Sequence, residues 1–598
     1  MHFESLLRLG LGTKAKVIYA LENLSKGSGA LEAAYSEAIL RIDNQPQGNR
    51  MLAKNALSWI SYAQRPLTTG ELCHALAVQP GDTELDPDDI PDIDDIISVC
   101  AGLVTIDKES QIVRLVHYTT QIYLVKIREE WHHDAQYHIA STCLSYLCLD
   151  AFASGSCTSD VEFERRLQQH EFLYYSAQYG EQHVAAVQDK LSSLAMVLLH
   201  NNNLIACATQ TRRRASKDHE RFCFSQEVTG LHLTVSFGLL HLSKQLLSSA
   251  QGEKLMLAEA RDSYGQTPLM WAAQNGQLET VMLLLSIDDV NPNARDDQGQ
   301  TPLMWAARNG HNDTVKQLLL NTNNANPYAE DRDGWTLLTW AVIGGSRDTV
   351  EMLLTLINFD LSETCNDGWT LFDYAAEGGK NGIVDLLLGL NKVEIRDYCS
   401  GLEIASCEGQ YDTVMLLLNT DKFDPNARDT TGVTPLSWAV QNGYKDAVEQ
   451  LLSTDRVDPD AKDTTGVTPL MWAVCKGCED SVELLLSTGK VDLNANAKGD
   501  DTTTPLMFAV YLGHEGIVKL LLSTGKVDLN ANAKGDDRTT PLMFAVYLGH
   551  EGIVKLLLST NEAHPHVEND GILTLLKLAK EKGHKAIVEL LESYSCDT

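Results

Sequence analysis

The sequence predicts a mainly α chain, in which a solenoid of about eleven stacked helix pairs over residues 228–598 follows a helical N-terminal region holding one β-hairpin. Three observations carry that reading. The string "TPLMWAAQNG" at Thr267 returns as "TPLMWAARNG" at Thr301, and variants start at Thr336, Thr370, Thr434, Thr468, Thr504 and Thr540. Degenerate copies start at Thr229, Ser400 and Thr574, so that eleven units lie mostly 34 to 36 residues apart. Lastly, Ser487–Leu522 is copied in Ser523–Leu558 with a single difference, Thr502 against Arg538.

Each position of the unit has a physical task. In the Thr301 unit, the threonine caps a helix by accepting a backbone N–H, and Pro302 fits the first turn, where its missing N–H costs nothing. Leu303, Ala306 and Ala307 fall at i, i+3 and i+4 and form one apolar stripe, with alanines small enough to let a second helix close in. Gly310 ends the first helix in a conformation few other residues tolerate. "DTVKQLLL" (Asp313–Leu320) is the second helix, facing the first through Val315, Leu318 and Leu319. The Asn/Asp/Gly-rich stretch after it reads as turn and hairpin. One such pair cannot bury its own apolar face, so neighbours must stack. In the last unit Lys577, Lys580, Glu581, Lys582 and Lys585 suit a solvated end cap.

These strings resemble the ankyrin repeat, from about Val228 to the C-terminus. The family's fourth motif position, often His, is usually Met here (Met270, Met304, Met471, Met507, Met543), which removes a side-chain hydrogen bond and leaves the fold unaffected. The aromatics that follow, Trp271, Trp305, Trp340, Tyr374, Trp438, Trp472, Phe508 and Phe544, have two readings: packing between the paired helices, or a ladder that contacts a partner. The resemblance implies protein binding without catalysis, through hairpin tips and the first-helix face. The tips include Asp296, Asp331, Asp429, Asp463, Asp500 and Asp536, and the candidate partner-binding residues are Asp297, Gln298, Arg332, Asp333, Asp367, Thr430, Thr464, Asp501 and Asp537. Acidic tips suit a basic or donor-rich partner, although hairpins use Asp and Gly for their own geometry.

Residues 1–227 lack the period. They divide into a helical segment (1–45), a winged-helix-like domain (46–130) and a helical region with linker (131–227). "GALEAAYSEAILRI" and "GNRMLAKNALSWISYA" have helical apolar spacing, and "PLTTGELCHALAV" is a short helix capped by Thr68 or Thr69. "DIDDIISVCAG" is a further helix, and "LVTIDKESQIVRLVH" alternates like two strands around a polar turn. Three helices and a hairpin are the layout of a winged helix. With "EFLYYSAQYGEQHV" (Glu171–Val184), these segments resemble the region after the ATPase module in fungal NACHT–ankyrin proteins, which are NOD-like receptor relatives. That resemblance implies a regulatory module and a role in signalling or non-self recognition.

The relatives' phosphate loop, G-x-x-x-x-G-K-[ST], occurs nowhere in this chain, and "LRLGLGTKAK" has the wrong glycine spacing. The expectation is therefore a truncated or naturally shortened relative, not an enzyme, with no cofactor. A sensor half of a split NACHT ATPase is the first alternative, and a winged-helix transcriptional regulator the second. Against the latter, residues 60–110 hold eleven acids and two bases, Arg65 and Lys108, the wrong footprint for DNA.

Composition points the same way. A net charge of -33 disfavours nucleic acid or an anionic membrane as partner. No apolar stretch reaches the roughly 20 residues of a spanning helix. Thirteen scattered cysteines suit reduced thiols, hence a cytoplasmic or nuclear chain. Other proteins are the expected partners, and a small-molecule ligand is not expected. The acidic run Asp82–Asp95 lacks the fixed glycine of a calcium loop. Cys475 and Cys478 have no second ligand pair for zinc, and His132, His133 and His138 with Asp134 belong to a surface helix. No G-x-S-x-G or H-E-x-x-H occurs. The basic cluster "TRRRASKDHER" (Thr211–Arg221) reads as a linker, its kinase-site and nuclear-signal readings each being short matches.

Overall fold

Six Thr-Pro pairs become six helix starts: Thr267, Thr301, Thr434, Thr468, Thr504 and Thr540 each accept the N–H three residues on, with proline in the first turn. A computed structural model describes residues 29–215, 227–250, 252–321, 325–361, 364–390, 395–420, 424–496, 504–529, 540–560 and 571–597. The chain divides into two compact units, residues 1–332 and 333–598.

The first unit begins with the winged-helix layout. Helices α1 (Gly29–Asp43), α2 (Gln47–Tyr62), α3 (Thr69–Ala77) and α4 (Ile93–Val99) precede strands β1 (Val104–Asp107) and β2 (Ile112–Leu115). The strands pair antiparallel with Val104 opposite Leu115 and Thr105 opposite Arg114. The wing is tied back at its base, where Thr69 N donates to Gln111 O and Val113 N to Leu67 O, both at 2.9 Å. Thr68 caps α3 in a reciprocal box with Glu71, whose carboxylate also takes both guanidinium nitrogens of Arg65. Helix α2 is the hub, packing against α1, α3, α4 and β2 and against the next two helices, α5 (Tyr118–Trp131) and α6 (Ala135–Leu147).

Four more helices follow: α7 (Asp160–Gln169), α8 (Leu173–Ala185), α9 (Ser192–Leu199) and α10 (Asn202–Ala215). An aromatic core holds this region together. Phe172 is fully buried and meets Trp59 of α2 edge-on at 5.2 Å, Tyr146 of α6 edge-on at 5.2 Å, and Tyr175 of α8 stacked at 5.4 Å. His183 lies beneath them, bonded to Tyr175 at 3.0 Å and to Gln136 at 3.2 Å.

The first repeat of this unit pairs α11 (Gly230–Ser236) with α12 (Leu240–Ser249), and the next two pair Pro268–Gln274 with Leu278–Leu285 and Pro302–Arg308 with Asn312–Asn321. Leu303, Ala306, Ala307, Val315 and Leu318 are buried as the spacing predicts, while Leu319 is half-buried. The second unit continues with paired helices, from Leu337–Gly344 with Arg347–Leu356 to Gly571–Lys582 with Lys585–Asp597. Its last helices leave Lys577, Lys580, Glu581, Lys582 and Lys585 exposed, as an end cap should.

Two expected helix starts are corrected. Ser400 and Thr574 lie inside helices Ile395–Cys407 and Gly571–Lys582 rather than capping them. Neither is followed by proline; Thr336 and Thr370 show that a threonine can still cap without it, so the apolar spacing at Ser400 and Thr574 fixes the helix face but not its first residue. The fourth motif position also proves more informative than its sulfur suggests. Met270 and Met304 Sδ each sit 3.4 Å from the N–H of the capping threonine, a weak substitute for the lost hydrogen bond. The first repeat keeps histidine: His232 Nδ1 accepts from Thr229 N at 3.3 Å, and Nε2 reaches Gln266 O of the next repeat at 3.1 Å.

Candidate protein-binding surface

The hairpins are built on aspartates that face inward. Asp296 Oδ1 accepts from the backbone N–H of Gln298 and Gln300, closing the turn, and Oδ2 accepts the indole N–H of Trp305 at 3.1 Å. The same brace joins Asp262 to Trp271 at 3.3 Å and, in the second unit, Asp429 to Trp438 at 3.3 Å. Asp296, Asp331 and Asp463 are 7–8 % exposed, so these expected tip residues are turn formers inside the hairpins. Burial pushes the Asp296 carboxyl above its usual range. At Asp429 burial pushes the same way, but bonds from Thr431, Val433 and Trp438 outweigh it and hold the carboxyl low.

The repeated aromatics therefore work mainly inside each repeat. Trp340 and Tyr374 are buried, and Trp271, Trp305, Trp438, Trp472, Phe508 and Phe544 are half-buried. Trp472 departs from the pattern, since its indole N–H is buried with no acceptor although Asp463 lies at the usual spacing. Tyr374 uses a different route: its hydroxyl donates to Asp367 at 2.5 Å and accepts from Trp335 at 2.8 Å.

The candidate contact residues lie one step outward from these braces. Asp297, Gln298 and Arg332 in the first unit are exposed, as are Asp333, Asp367, Thr430 and Thr464 in the second. Asp501 and Asp537, with Asp500 and Asp536, lie outside the described residues. Consecutive hairpins are tied through backbone: Asp297 N to Tyr264 O and Arg332 N to Gln298 O, both 2.9 Å, and in the second unit Thr464 N to Thr431 O at 3.1 Å. The close approach needs glycine. Gly432 has φ +82°, and a Cβ there would stand 2.8 Å from Thr464 N. The tips thus hold each other through backbone, with the Thr464 hydroxyl adding a bond to Thr431 O at 2.8 Å, while the candidate side chains remain exposed. Asp367 differs, because both its oxygens are engaged within its own repeat. On the first helices of the late repeats, Tyr511 and Tyr547 add aromatic surface, 58 % and 47 % exposed.

One acid on this framework escaped the sequence reading. Burial, with the Asp429 charge beside it and Asp373 further off, raises Glu403 to about 7, against an opposing bond from the Trp438 indole. A raised acid stabilises the fold while it keeps its proton, fully below pH 4.5 and no longer above about 7. Glu403→Gln is expected to stabilise the protein by about 1–2 kcal/mol at pH 8, after allowance for partial solvation, and to change nothing at pH 4. Urea denaturation at the two pH values measures the difference.

The other chemical candidates resolve as structure. Cys475 lies in the last turn of helix Pro469–Lys476 and Cys478 precedes helix Glu479–Ser487, and burial raises both thiols. The expected single surface helix is corrected: His132, His133 and Asp134 lie before α6 and only His138 is on it, with His132 bonded to Ser58 at 2.8 Å and stacked on His138, and His133 paired with Asp134. Asp82, Asp86 and Asp92 accept nearby backbone N–H groups in the acidic loop. Among the described residues, no three His, Cys, Asp or Glu side chains could hold a metal together, and no helix is long and apolar enough to cross a membrane.

Comparison with known families finds two matches. The family described as ankyrin repeats (3 copies) matches residues 183–296, 231–331, 317–397, 402–497 and 489–569. A second, described as the GPI inositol-deacylase winged helix domain, matches residues 42–139. No curated protein matches the chain.

Proposed function

The chain belongs to the ankyrin-repeat family, and from that premise we propose that it is a non-catalytic scaffold or sensor which captures another protein on its hairpin tips and first-helix faces. The observation that carries this reading is the division of labour within each hairpin. Inward aspartates hold the turn, and their neighbours, Gln298 in the first unit and Thr430 and Thr464 in the second, are exposed at the surface of their own hairpins. The winged helix at 42–139 supports a regulatory unit of the kind that accompanies NACHT modules, and NOD-like receptor-type signalling or non-self recognition is the role we assign to the pair. The acidic balance favours a partner with a basic or donor-rich face.

The test uses the full chain with Gln298, Thr430 and Thr464 replaced by arginine, against a partner first identified by affinity capture and then purified. These positions are exposed, so the expected result is an unchanged melting temperature with binding weakened at least about tenfold. Unchanged affinity would remove the tips from the interface. ATP hydrolysis by the purified chain would overturn the non-catalytic reading altogether.

A further inference from the structure

The first unit contains a cavity of about 450 Å³ that no sequence motif announces. Its walls come from α6, α8, α9 and α10 on one side and from α11, α12 and helix Pro268–Gln274 on the other. Leucine, valine and alanine are the commonest residues of the lining and include Leu147, Val184 and Leu199. The volume falls within the range of small-molecule sites, which bury an apolar ligand around a few fixed polar groups.

The polar groups say which ligand. Arg212 Nη1 lies 2.9 Å from Glu181 Oε1, and the guanidinium sits 4.4 Å above the Phe237 ring. The two charges cancel. Asp262, also in the wall, already accepts from Tyr264 N, Gln266 N and the Trp271 indole. An ionic ligand would therefore give up its hydration without meeting an opposite charge to replace it. What the wall lacks is a donor for one of its acceptors. Arg212 Nη1 is taken by the Glu181 carboxylate at 2.9 Å, but Gln178 Oε1 is a buried acceptor without a donor. Gln178 lines the cavity, and its side-chain amide carries an N–H donor beside that oxygen, an edge that a second amide can meet with two hydrogen bonds.

We propose that this cavity binds a neutral, largely apolar small molecule carrying an amide-like donor–acceptor edge. Such a ligand would satisfy the orphaned Gln178 oxygen and would join the N-terminal helices to the first repeats. The site is independent of the hairpin surface, so its failure would leave the protein-binding reading intact.

The probe is 1-naphthaleneacetamide, a neutral bicyclic amide, titrated into the full chain by equilibrium dialysis, with the isosteric anion 1-naphthaleneacetate as comparison. Saturable 1:1 binding of the amide, at least about tenfold tighter than the carboxylate, is expected. Ala208→Phe, which fills the cavity from α10, should abolish it. Should that variant fold poorly, Gln178→Leu carries the test: it should bring amide affinity down to that of 1-methylnaphthalene while the hydrocarbon binds as before. Equal binding of amide and carboxylate, no saturation in the millimolar range, or undiminished binding to a well-folded Ala208→Phe protein would each overturn the proposal.

Discussion

Truncating Phe172 to alanine is expected to cost about 3–5 kcal/mol, the largest loss for a single side chain in the N-terminal region. The ring is fully buried at the meeting point of three helices, within 5.2 to 5.4 Å of Trp59, Tyr146 and Tyr175. Each aromatic pair contributes roughly 0.5–1.5 kcal/mol beyond simple burial. The surrounding rings are themselves anchored, Tyr175 by Gln64 N and Tyr146 by His74, so they cannot collapse into the gap. The loss should appear as a lowered urea midpoint with an unchanged slope, and Phe172→Leu should recover most of it. A loss below about 1 kcal/mol would mean that this cluster does not hold the winged helix to the helices behind it.

Acidification should destabilise the first unit by a comparable amount through two histidines. His183 and His232 are both fully buried, and burial lowers each to about 4. Their bonds fix them as neutral: the Gln136 amide donates to Nδ1 of His183, and Thr229 N donates to Nδ1 of His232. Protonation would set an N–H against a donor at each site. With the folded value below the unfolded one, the stabilisation is complete above pH 6.5 and is lost as the pH falls toward 4. The ceiling is about 3 kcal/mol per histidine. Urea midpoints at pH 7 and pH 4.5 test the direction, and His232→Asn should roughly halve the slope. Glu403 acts in the opposite sense, so residues 333–598 should gain from the same acid step. A chain that loses stability evenly throughout would contradict both assignments.

The sequence reading was strongest where one residue type has one physical use. Threonine followed by proline marked six helix starts, and the alternation in Leu103–His117 marked both strands of the wing. It failed where a match rested on apolar spacing alone, as at Ser400 and Thr574, because periodicity sets a helix face but not its first residue. The Asp–Trp brace was hidden for another reason. The partners are nine residues apart on a hairpin and a helix, a spacing that means nothing until the turn has formed. Asp296 thus read as a surface acid, as did Asp463, which closes its turn without the brace, and the exposed positions at these tips are their neighbours. Glu403 and the Arg212–Gln178 cavity depend on packing between separate repeats and helices, which no local pattern encodes.

The tandem copies at Ser487–Leu522 and Ser523–Leu558 carry a cost in assembly. Helices Pro505–Leu512 and Pro541–Leu548 have the same sequence and nearly the same pattern of inward residues, as do Glu515–Ser523 and Glu551–Ser559. To the preceding repeat, each copy offers the same mating face. A folding chain can dock the second where the first belongs and leave 36 residues looped out, a closure that costs only about 3 kcal/mol. That slipped arrangement satisfies the packing on its upstream side and fails only downstream. Near-perfect duplication, which enlarges the binding surface without inventing a new unit, also gives the nascent chain a decoy that it must unmake before the last repeats can close.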